Sequence, residues 1–81
     1  MQVRVECCGA SGRLAGAAQL DVELPEGADV RALFARLGER SAEFAALLES
    51  CACARGDALV HRATPLADGD QLALLPPVAG G

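Results

Sequence analysis

Lysine is missing altogether. All seven basic side chains are arginine, set against eleven Asp and Glu, so the chain carries a formal charge of −4. An acidic surface without a basic patch cannot neutralise phosphates, which excludes nucleic acid as an expected partner. Trp and Tyr are absent and Phe34 and Phe44 are the only aromatics, leaving no stacking platform for single-stranded bases. No apolar run approaches the ~20 residues of a membrane span. The opening Met1-Gln2-Val3-Arg4-Val5-Glu6 lacks the apolar stretch of a signal peptide. A cytoplasmic location is therefore expected, with no membrane partner. The absence of lysine closes one chemical route as well, since copies of the chain cannot be joined through lysine side chains.

Large apolar groups are also scarce. Hydrophobic residues make up 52% of the 81 positions, but 17 of them are alanine, so the chain can fill one thin core and not two. The four cysteines stand as Cys7-Cys8 and Cys51-x-Cys53. Adjacent cysteines rarely bridge each other, and without a secretory signal the thiols are read as reduced small hydrophobes. Cys7 shares parity with Val3 and Val5, whereas Cys8 has the opposite parity and is expected to be more exposed.

Periodicity supplies the elements. Val3, Val5 and Cys7 alternate with polar residues, as do Leu20, Val22 and Leu24, which gives two half-buried strands paired as a hairpin. Arg13-Leu14-Ala15 suits a short helical turn between them, limited by Gly12 and Gly16. Asp29 is placed to cap a helix in which Val30, Leu33, Phe34 and Leu37 fall on one face, with Gly38 as the expected stop. Ser41 caps a second, shorter helix bearing Phe44, Leu47 and Leu48. Extended segments follow at Cys51–Ala54 and Leu59–His61 around an Arg55-Gly56-Asp57 turn. The last strand is Gln71–Leu75, entered through Asp68-Gly69-Asp70 and ended by Pro76-Pro77.

Two strands, a main helix, a short helix and two or three more strands make an α+β domain with the helix across one face of a mixed sheet. With the first and last strands side by side in the sheet centre, this order is a β-grasp, the ubiquitin-like fold. Residues 1–75 form that domain and residues 76–81 an extended tail.

Catalytic signatures are lacking. The cysteine spacing misses the Cys-x(2–4)-Cys knuckle of zinc sites, and Cys51 and Cys53 in a strand stand roughly 6.5–7 Å apart, so no metal is expected. His61, the only histidine, is tied to no thiol by any motif and reads as a surface residue. No Ser-His-Asp elbow, phosphate loop or dinucleotide fingerprint is present.

The distinctive feature is the end, Leu75-Pro76-Pro77-Val78-Ala79-Gly80-Gly81. Pro76 and Pro77 stiffen its root, and the six residues from Pro76 can span at most ~20 Å, enough to enter another protein's active site. Gly80 and Gly81 carry no Cβ, so they pass a narrow channel and leave the terminal carboxylate unhindered. Parity turns Leu75 away from a core that takes Leu72 and Leu74, and Leu75 and Leu59 are expected to form a partner interface.

With these residues the chain resembles the small, sulfur-carrier subunit of molybdopterin synthase. That family has a ubiquitin-like fold and ends in a similar Pro-Pro-Val-x-Gly-Gly, and the likeness extends over the whole length, including Leu59-Val60, Pro65-Leu66 and Asp68-Gly69-Asp70. Leu75 stands where the family often has an aromatic. The resemblance implies that an activating enzyme uses ATP to adenylate the Gly81 carboxylate. A sulfur donor then displaces AMP to give a thiocarboxylate, whose sulfur passes to a pterin precursor on the large synthase subunit. It implies no tightly bound cofactor and no catalysis by this chain alone. Related carriers for thiazole or cysteine synthesis, and ubiquitin-like protein modifiers, share the fold and the diglycine end.

Overall fold

The computed structural model describes residues 1–77. The chain runs β1 (Gln2–Cys7), α1 (Ala10–Ala15), β2 (Gln19–Glu23), α2 (Val30–Gly38), α3 (Ala42–Leu48), β3 (Ala52–Arg55), β4 (Ala58–Val60) and β5 (Gln71–Leu75). The strands form one mixed sheet in the order β2-β1-β5-β3-β4. β1 and β5 lie parallel at its centre, with Val5 opposite Leu72 and Cys7 opposite Leu74, and the other pairings are antiparallel. This is the β-grasp arrangement that the element order implies.

Alternation in β1 and β5 sends Val3, Val5, Cys7, Leu72 and Leu74 to one face, where all are buried. α2 lays Val30, Leu33, Phe34 and Leu37 against them. Asp29 starts this helix by accepting a hydrogen bond at Oδ1 from the Ala32 amide, 2.9 Å away. α3 begins the same way, with Ser41 Oγ accepting from the Phe44 amide at 3.0 Å. The short α3 is a core element, because Phe44 is fully buried and heads the largest side chains in that state.

Two glycines carry constraints beyond those expected. Gly38 is the last residue of α2, as its residue type suggests, but the cap that follows is Glu39 in right-handed geometry and not a left-handed glycine. A Cβ at Gly38 would sit 3.2 Å from the Ala45 Cβ, so its function is to let α2 and α3 approach closely. Gly12 lies inside α1, which is a full six-residue helix and more than the single turn anticipated. There the missing side chain makes room for the Cys7 carbonyl, 2.9 Å from where a Cβ would be. Helix propensity at both positions gives way to backbone proximity. β3 and β4 sit one residue away from their expected bounds, around a tight turn whose Gly56 takes a φ of 62°.

Arg62 joins the segment after β4 to the end of α3. One of its nitrogens donates to the carbonyls of Leu48, Glu49 and Cys51 at 3.1, 3.2 and 3.3 Å, and its guanidinium lies 4.6 Å from the Phe34 ring centroid. These carbonyls belong to the last turn of α3 and the chain just after it, where a cation is favoured.

Candidate functional site

The helices cover one face of the sheet and leave the other to solvent. Register arranges that outer face in rows, with Leu59 beside Ala54 and Ala54 beside Ala73, and with Ala52 beside Leu75. Toward β1 and β2 the same face is polar, where Arg4 pairs with Asp21 at 3.0 Å. Leu59 is 70% exposed and Leu75 39%, and they are the large hydrophobic residues exposed among those described. Two leucines standing over small alanines make a flat apolar patch on the β5-β3-β4 half of the sheet, of the kind that a partner protein covers. Sequence parity places Leu75 on this face, and the hairpin turn brings Leu59 there with it.

The tail starts at the edge of this patch. β5 is hydrogen-bonded on both sides, to β1 and to β3, so Leu75 ends a strand held in the middle of the sheet. Pro76 is half-buried against the β1–α1 turn, and Pro77 is exposed. Val78, Ala79, Gly80 and Gly81 lie outside the described residues.

The thiols form no site. Cys7, Cys51 and Cys53 are buried, and burial pushes each thiol above its ordinary value of 9.0. Cys8 is half-buried, and no cysteine is in a disulfide. Among the described residues no group of three or more His, Cys, Asp and Glu could hold a metal ion. His61 is exposed. Brief alkylation of the native protein is expected to modify Cys8 first and the other three only on unfolding, as peptide mapping would reveal. Rapid native labelling of Cys53 would contradict the burial.

The raised thiols also set an alkaline limit. Folded, the three thiols keep their protons at a pH where the unfolded chain releases them, so the folded state binds more protons. Their stabilisation is complete below 9.0 and is lost as pH rises through the folded values. Urea midpoints should therefore fall as pH climbs above 9.0, and a flat profile would contradict it.

An open groove on the helical side, lined by Phe34, Ala35, Gly38, Ala45 and Leu48 together with Arg31, Glu39, Glu49 and Arg62, lies on the face opposite the patch. No helix among the described residues is long and apolar enough to cross a membrane.

Residues 9–81 match the model of the ThiS family. The chain belongs to the ThiS family. No curated protein sequence matches it significantly. Among solved structures, this ThiS-family chain resembles one in a complex of subunits 1 and 2 of molybdopterin-converting factor from Helicobacter pylori, at 32% identity over 100% of both chains, with a TM-score of 0.69. A putative molybdopterin-converting factor subunit 1 from Pyrococcus furiosus shares 29% identity over 96% of this chain and 99% of its own, at a TM-score of 0.86. SAMP1 from Haloferax volcanii matches 100% of each chain at 20% identity and a TM-score of 0.86, a likeness of fold. The chain is thus a ubiquitin-like sulfur carrier of the ThiS family.

Sequence reading did not single out two structural residues near this site. Ser11 and Gly9 fall in a Gly-Ala-Ser-Gly stretch that reads as a plain loop, yet Ser11 is completely buried and Gly9 faces Pro76. The only local signal was the glycine itself, which marks a demanding backbone position without naming its neighbour.

Proposed function

We propose that this chain carries sulfur for molybdopterin synthesis on its C-terminal Gly81. The observation that supports the reading best is the placement of the tail. Pro76 follows directly on the exposed Leu75 at the end of a strand anchored between two others, on the half of the sheet that also bears the exposed Leu59. The 32% identity with a chain of the molybdopterin-converting factor complex favours the molybdenum pathway over the related thiazole and cysteine pathways.

In the proposed cycle, an activating enzyme lets a Gly81 carboxylate oxygen attack the α-phosphorus of ATP, and pyrophosphate leaves. Sulfur at the sulfide level from a donor attacks the acyl carbon, AMP departs, and a thiocarboxylate remains. The apolar patch docks on a large synthase subunit, Pro76, Pro77, Val78, Ala79 and Gly80 extend the end into that subunit's site, and the sulfur passes to the pterin precursor. In that transfer the thiocarboxylate sulfur attacks a carbon of the precursor and displaces an oxygen from it, and water then cleaves the acyl–sulfur bond of the resulting thioester, so the sulfur stays on the precursor and the tail returns as a carboxylate. The catalytic side chains belong to the partner.

Intact mass spectrometry after incubation with the activating enzyme, ATP and sulfide tests this. The expected result is exchange of one terminal oxygen for sulfur, and gain of mass on an internal cysteine would sink the reading. Co-purification with a large synthase subunit rather than a thiazole-forming enzyme then selects the pathway.

The docking face gives a further expectation. Leu75→Asp places a charge in the apolar patch, and a hot-spot loss of about 2 kcal/mol corresponds to about thirtyfold weaker binding of the large subunit. The unfolding midpoint should hardly move, because Leu75 points to solvent and surface changes usually stay within about 0.5 kcal/mol. Titration calorimetry beside urea denaturation separates the two effects, and an unaltered affinity removes Leu75 from the interface.

A further inference from the structure

Pro76 has a prepared seat. Gly9, in the turn from β1 into α1, adopts φ 54° and ψ −130°, a backbone state that L side chains rarely take. A Cβ built on it would meet a single neighbour, the Pro76 Cγ at 3.9 Å. A carbon in that position would be in ordinary van der Waals contact with the ring, so the Cα hydrogen of Gly9 that takes the place of a side chain faces Pro76 across a methyl-sized gap.

The turn is held from beneath. Ser11 Oγ donates to the Cys8 carbonyl at 2.5 Å, and the Ser11 amide donates to the same oxygen at 3.1 Å. Ser11 is the one buried polar residue among those described, with 0% exposure. The Gly12 amide donates to the Gly9 carbonyl at 3.1 Å, and the Cys7 amide donates to the Ala18 carbonyl at 2.8 Å. A buried hydroxyl spent on one loop carbonyl, next to a glycine in a strained state, is a large local investment for a six-residue helix.

We propose that Gly9 and Ser11 are positioning residues that fix the direction in which the tail leaves the domain, acting through Pro76. This rests on the reading of Gly81 as the sulfur-bearing end. The physical need is leverage. Five residues beyond Pro76 span up to ~17 Å, so a swing of roughly 20° at the root displaces the end by ~6 Å. Misplacement of reacting groups by ~1 Å can cost ~10²-fold in rate. Proline fixes φ at both Pro76 and Pro77, and Pro77 confines ψ of Pro76 to the extended range, so a direction set at the first is passed on to the second.

The test separates seat from docking. In the wild-type chain, nuclear Overhauser spectra should contain a cross-peak between the Gly9 Hα and the Pro76 ring protons, weakened in Ser11→Ala and absent in Gly9→Val. Sulfur transfer from the thiocarboxylated chain to a saturating large synthase subunit should slow about tenfold in Gly9→Val, Ser11→Ala and Pro76→Ala, with Kd within about twofold of wild type for the Gly9 and Ser11 variants. The Ser11→Ala, Pro76→Ala double variant should be no slower than the slower single, because both break one element. Additive losses, or a Kd that worsens in step with the rate, would overturn the proposal, as would absence of the wild-type cross-peak. Should Gly9→Val not fold, the Ser11 and Pro76 variants carry the test. If the wild type itself transfers no sulfur, the carrier reading fails, and the cross-peak still decides whether the seat exists.

Discussion

Deletion of Gly81 is expected to abolish activation while leaving the fold untouched. The deletion moves the terminal carboxylate back by about 3.4 Å along an extended chain. It also brings the Ala79 methyl one residue nearer to the acyl carbon. Rates fall by ~10²-fold for errors of ~1 Å at a reacting centre, so a displacement of this size leaves no measurable thiocarboxylate. β5 ends at Leu75, six residues before the deleted one, so the unfolding midpoint should match that of the full chain. Pyrophosphate exchange with an activating enzyme reads the adenylation step, and intact mass reads the sulfur. Normal exchange by the shortened chain would overturn the requirement that the carboxylate stand at Gly81. Gly80→Val is a useful companion, since it keeps the length but adds a branched side chain beside the acyl carbon, and it should slow activation without moving the end.

The second large effect concerns stability. Phe44→Ala removes the largest of the fully buried side chains, from a helix of only seven residues. Truncation of a buried phenylalanine costs about 3–5 kcal/mol. A domain of this length has roughly 4–12 kcal/mol in total, so the variant should be partly or wholly unfolded at 37 °C. Urea denaturation followed by circular dichroism measures this directly. A loss under about 1 kcal/mol would show that α3 is dispensable to the core. The contrast with Leu59 is instructive, because at 70% exposure its replacement by alanine should cost the fold almost nothing.

Much of this architecture was legible because two short-range signals agreed at each place. Asp29 and Ser41 stand one residue before their helices, and each hydroxyl or carboxylate oxygen receives the amide that capping chemistry assigns to it. The alternation of Val3, Val5 and Cys7 matches their burial residue by residue. Leu75 and Leu59 were readable as outward because parity from a buried neighbour fixes direction in a strand.

What escaped depends on contacts distant in sequence. Gly38 ends α2 as its residue type suggests, but the constraint that holds the position to glycine is the Ala45 side chain in the following helix. Gly12 and Gly16 argue against a helix at Ala10–Ala15, but the Cys7 carbonyl requires the first, and the second ends the helix in left-handed geometry with φ 78°. Arg62 carries no local mark of its role, since its partners Leu48, Glu49 and Cys51 lie eleven to fourteen residues earlier. The seat for Pro76 joins positions 9 and 76, and no pattern confined to one segment connects them.

The central position of β5 also governs when the molecule can come into being. The strand made last sits between the first strand and the third, and its pairing with β1 joins residues 4–7 to residues 71–74. Until β5 has emerged from the ribosome, β1 and β3 have no common neighbour and the inner face of the sheet lacks Leu72 and Leu74. Contacts of such long sequence separation slow folding, because the whole loop must close before they form. The sheet therefore closes only once residues 71–75 are available to it, and a chain cut before them lacks the centre of its sheet and the strand from which Pro76 leaves.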